Sequence, residues 1–98
     1  MKTKWPFADA RKTAVFTTRD IIEEGKLILL VTHDQDDGAW QFHTGITVPA
    51  SEAKVVALDE IIFRDPSIVE LADLPLGRSA IRDSITSPWK RQPISSSA

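Results

Sequence analysis

Cysteine is absent from all 98 residues. That removes disulfides, a thiolate nucleophile and any Cys-ligated zinc site, and it fits a reducing compartment. Long hydrophobic runs are missing as well. The longest, Leu27 to Val31, has five residues, far short of the ~20 needed to span a bilayer. The opening Met1-Lys2-Thr3-Lys4-Trp5-Pro6 has lysines but no apolar h-region behind them, so no secretory signal is expected and the expected location is cytoplasmic. No Gly-x-Ser-x-Gly elbow and no Gly-rich phosphate loop occurs in the sequence, which removes the commonest signatures of a serine hydrolase and a nucleotide binder. Histidine is limited to His33 and His43.

What is present is ordinary for a small soluble domain: 42% hydrophobic and 27% charged residues in a chain long enough for one core. The net charge of −2 is unevenly placed. Residues 1–12 carry +3, and residues 87–98 carry +2 from Lys90 and Arg91. Between them, residues 13–86 hold six basic against thirteen acidic side chains, a net −7. An acidic body repels phosphate backbones, so nucleic acid is not the expected partner; a basic protein surface is attracted instead.

Periodicity divides the chain into an arm (1–12), one α+β domain (13–86) and a flexible tail (87–98). Trp5, Pro6 and Phe7 are placed to dock the arm. Thr13 to Thr18, rich in β-branched and aromatic residues, predicts a strand. One helical turn closed by Gly25 follows. Lys26 to His33 predicts a second strand, whose apolar run suggests cover on both faces. Asp37-Gly38 signals a hairpin into a third strand over 39–44, where Trp40 and Phe42 alternate with Gln41 and His43. A short fourth strand is expected over 53–57. Helical spacing then takes over: Leu58, Ile61 and Ile62 predict a helix over 58–64, ended by Asp65-Pro66. Asp65 as cap and Pro66 as first residue predict a second helix over 66–73. A last strand is expected over 78–85. The expected architecture is a small antiparallel sheet of four or five strands with both helices on one face.

Chemistry is sparse. Asp34-x-Asp36-Asp37-Gly38 resembles a calcium loop, but an EF-hand needs glycine at about position six and a bidentate Glu at about twelve. Counting from Asp34, glycines stand fifth and twelfth, so no metal is assigned. The two histidines cooperate only in one hairpin register. Pairing His33 with Trp40 sends them to opposite faces, and that register is favoured because it sets Val31 across from Phe42. No catalytic residue and no cofactor is assigned. Asp34, Asp36 and Asp37 project from one turn, and Arg78 and Arg82 fall on one face of a strand, where they could clamp a carboxylate; these five are the candidate partner-binding residues.

Three ordered segments carry a resemblance: Asp37-Gly38-Ala39-Trp40-Gln41-Phe42-x-x-Gly45; Leu58-x-x-Ile61-x-x-x-Asp65-Pro66-x-Ile68; and Leu71-x-x-Leu74-Pro75-Leu76-Gly77-x-x-Ala80-x-Arg82. Together they resemble a family of small bacterial proteins of unknown function, some assigned as immunity proteins of polymorphic-toxin systems. The resemblance implies a small α+β domain without established catalytic residues. The expectation is a non-enzymatic protein-binding module with a basic protein partner. The alternative is a small ligand-binding domain or enzyme with a cleft beside the 26–44 hairpin.

Overall fold

The computed structural model describes residues 4–94; the outermost ends of the expected arm and tail lie outside them. Five elements fall where the periodicity puts them: β1 (Ala14–Thr18), α1 (Arg19–Glu24), β3 (Trp40–His43), β4 (Ala53–Ala57) and α2 (Leu58–Arg64). Gly25 closes α1 in the left-handed region at φ 70°. β2 is Leu30–His33 and β5 is Arg78–Ile81, both shorter than expected. The sixth strand, β6 (Lys90–Pro93), forms where a flexible tail was expected.

These strands make one sheet in the order β4-β1-β3-β2-β5-β6. It is antiparallel except between β1 and β3, which run parallel with Phe16 beside Gln41. The fold is therefore α+β as expected, with six strands instead of four or five. In the central hairpin His33 pairs with Trp40 and Val31 with Phe42. Its loop runs through Gln35–Gly38. Asp34 and Ala39 close it by a backbone bond of 2.8 Å, and Gly38, at φ 72°, is its one left-handed residue.

Period two sorts the sheet into two unlike faces. One carries Val15, Val31, Trp40, Phe42 and Ala80, all at most 1% exposed. Leu58 and Ile61 of α2 pack on it, with Ile68, Leu71 and Leu74 from the segment that follows. Both helical segments thus lie on one face. Phe7 docks the arm there, its ring edge-on to Trp40 at 5.4 Å between centroids. The first amides of α2 have no side-chain cap; Leu58 and Asp59 donate to the carbonyls of Thr13 and Arg11 instead.

The other face carries neither α2 nor the segment after it. The 45–52 loop, with a short 3-10 turn at Ala50–Glu52, borders it beside Leu30 and His43, and Phe16, Val55 and Ile81 are 41%, 61% and 36% exposed there. This corrects the expectation of a second strand covered on both faces. Leu27 is 46% exposed, and the Ile28 carbonyl is turned to the Arg82 guanidinium instead of a neighbouring strand. The second helical segment also differs in kind. Pro66–Leu71 is a 3-10 helix, and the threefold spacing of Ile68, Leu71 and Leu74 suits its three residues per turn.

Candidate functional site

The acidic turn rises at the end of the β2–β3 hairpin, at the border of the open sheet face. Its shape comes from its own side chains. The Asp37 carboxylate accepts the Ala39 amide at 2.9 Å, and the Asp34 carbonyl accepts the Gly38 amide at 3.0 Å. Asp36 and Asp37 are exposed, while Asp34 is half-buried. None of the three forms an ion pair among the described residues.

Asp34 opens a polar chain along the face. Its carboxylate accepts the Gln41 side-chain amide at 2.6 Å, and the Gln41 carbonyl lies 2.9 Å from His43 Nε2. With its amide nitrogen spent on Asp34, Gln41 offers an acceptor to the imidazole, so His43 Nε2–H donates and Nδ1 is left as the acceptor. Burial lowers the His43 pKa below the ordinary 6.5, against the opposing pull of Asp34 and Asp20, so at neutral pH the ring is uncharged. A cavity of ≈ 300 Å³ opens over this chain, lined by Phe16, Asp34, Asp37, Gln41, His43 and Val48 among others. Among the described residues no group of three or more His, Asp or Glu could hold a metal ion.

The other candidates lie elsewhere. His33 is on the core side of the sheet, stacked on Trp40 with centroids 3.9 Å apart, and its Nδ1 donates to the Leu74 carbonyl at 2.7 Å. The two histidines are thus on opposite faces, as the favoured register requires. Arg78 is exposed and pairs across from His33 at the turn end of β5.

Arg82 is not brought to this surface. It is 6% exposed, donates twice to the Ile28 carbonyl, and holds the Asp65 carboxylate at 2.6 Å and the Ser67 hydroxyl at 2.9 Å. The Trp89 ring lies over its guanidinium at 4.1 Å. Arg82 does clamp a carboxylate, but one inside its own chain, so it is a structural residue instead of a partner contact. Asp65 is both its counter-ion and the cap of the 3-10 helix, accepting the Ser67 amide at 3.1 Å.

Phe16 and Gln41 were not singled out from the sequence as site residues. Alternation placed Gln41 with His43 on the face away from Trp40. Nothing in the spacing foretold the parallel neighbour that sets Phe16 beside Gln41.

Among the described residues no helix is long and apolar enough to cross a membrane. Comparison with models of known families, with curated proteins and with solved structures finds no match.

Proposed function

We propose that the chain is a non-enzymatic protein-binding module that takes a basic partner on its acidic turn and the open sheet face beside it, in the cytoplasm. One observation carries the reading: three carboxylates without ion-pair partners among the described residues border a sheet face on which Phe16, Val55 and Ile81 are exposed. Exposed apolar side chains on either side of the polar Gln41–His43 strip, with carboxylates at the border, supply both the apolar and the charged parts of a protein contact, and clustered charge of one sign steers an oppositely charged partner. Neutralising a toxin partner, the immunity-type role implied by the resemblance, is the specific form of this reading. Against catalysis stands the separation of His33 from His43. The Thr17 and Thr18 hydroxyls that line the cavity with His43 donate to the Phe42 carbonyl and the Asp20 carboxylate, and the His43 ring is bonded to Gln41 instead of to either of them.

The test is to capture a partner with the chain as bait, beginning with the product of the neighbouring gene, and to map the contact by amide shifts. The perturbed set should contain Phe16, Asp34, Asp36, Asp37, Gln41 and Val55. A perturbed set confined to Phe63 and Val69, exposed on the helical side, would overturn the reading.

A further inference from the structure

The cavity over Gln41 has a composition that selects its occupant. Its lining contains two carboxylates, Asp34 and Asp37, and neither lysine nor arginine. Gln41 holds the Asp34 carboxylate at 2.6 Å, so this acceptor is positioned before any ligand arrives. Phe16, 41% exposed, adds an aromatic ring to the same lining. His43 is part of the wall and adds no positive charge at neutral pH. Asp34, Asp37 and His43 share this lining, but among the described residues no group of three or more such side chains is placed to hold a metal ion. Carboxylates beside an aromatic surface suit an organic cation. A guanidinium fits better than an ammonium because it is planar, weakly hydrated, forks onto carboxylate oxygens and stacks on aromatic faces.

We propose that this cavity receives an arginine side chain of the basic partner, with its guanidinium held by Asp34 and Asp37 and flanked by Phe16; the proposal rests on the protein-binding reading above and names the group recognised. Gln41 is then a positioning residue, since it touches the carboxylate instead of the incoming cation. The rest of the turn, including Asp36, supplies long-range attraction without entering the cavity.

The test needs no partner. A capped Gly-Arg-Gly tripeptide is titrated into the whole chain at millimolar concentrations while amide and side-chain signals are followed by NMR, with Gly-citrulline-Gly as the uncharged isostere. The arginine peptide should give saturable shifts at Thr18, Gln41, His43 and Ala53, and the citrulline peptide should not. Joint Asp34→Asn and Asp37→Asn substitution keeps acceptors for Gln41 and Ala39 and should weaken binding by about tenfold or more, as expected when charge-assisted bonds are lost. Phe16→Leu keeps an apolar strand residue and should weaken it by a smaller factor. If the double variant is misfolded, the citrulline comparison and Phe16→Leu still decide. Equal shifts from both peptides, or no saturable shift at the cavity, overturn the proposal. A partner that still binds through the turn while the arginine peptide leaves these signals unmoved overturns this inference alone, and the protein-binding reading stands.

Discussion

Three residues carry separable consequences. Phe42 is fully buried between the sheet and its helices, so Phe42→Ala should lose roughly 3–5 kcal/mol in a urea unfolding series. An unchanged midpoint would mean that the side chain does not serve the core. Asp65 does more than the cap legible in its sequence position. Alanine there strips the cap, worth about 0.5–2 kcal/mol, and also leaves the Arg82 guanidinium buried without its counter-ion. Breaking a buried pair from one side costs about 3–5 kcal/mol, so Asp65→Ala should cost clearly more than a cap alone. His43 sets a pH dependence. Its native pKa lies below the ordinary 6.5 because burial disfavours the charged ring. As pH falls, the unfolded chain takes up the proton first. The contribution of neutral His43 is therefore complete above 6.5 and declines as pH drops through that value towards the lowered native one. His43→Gln should flatten this part of the stability–pH curve; an unaltered curve would place the titration elsewhere.

At the scale of elements, Gly77 joins the helical segment to β5. It sits at φ +79°, with its amide on the His33 carbonyl and its carbonyl accepting the Ile94 amide, and a Cβ there would lie 2.7 Å from Gln35 Oε1. The glutamine end can swing aside, so the left-handed backbone is the larger cost, about 1–2 kcal/mol for alanine. Gly77→Ala should destabilise by that amount, and adding Gln35→Ser should restore little of it. Full restoration would make the clash the cause. The same elements show what a sequence reveals. β4 and α2 were legible because apolar spacing changes from period two to period 3.6 at Leu58, and the hairpin register because only one alignment sets Val31 across from Phe42. β6 was not legible. Lys90, Arg91, Gln92 and Pro93 are all exposed, so β6 is held by its pairing with β5 and by Arg91, which reaches the Asp73 carboxylate and the Glu70 carbonyl. Backbone pairing leaves no mark in hydropathy. The parallel contact of β1 with β3 was hidden for a related reason: the partners are separated by α1 and β2, and tertiary packing alone chooses between such neighbours.

In the molecule as a whole, helices bury one sheet face and the other stays open, with the acidic turn at its border. The sequence showed the charge on the turn and the alternation of Gln41 with His43. Its two readings of cover disagreed: both helices were expected on one face, as they are, while the apolar run Leu27 to Val31 argued for a second strand covered on both. The account's central claim is that this border attracts a basic protein. The most direct measurement is the association rate with the captured partner across a salt series, for the parent chain and for a variant with Asp34, Asp36 and Asp37 all changed to asparagine. Asparagine keeps size and much of the turn propensity, so the fold should persist. The account predicts slower association for the variant, with most of the difference at low salt and convergence of the two chains as ionic strength shortens the screening length to about 3 Å near 1 M. An unchanged rate with an unchanged salt slope would contradict it.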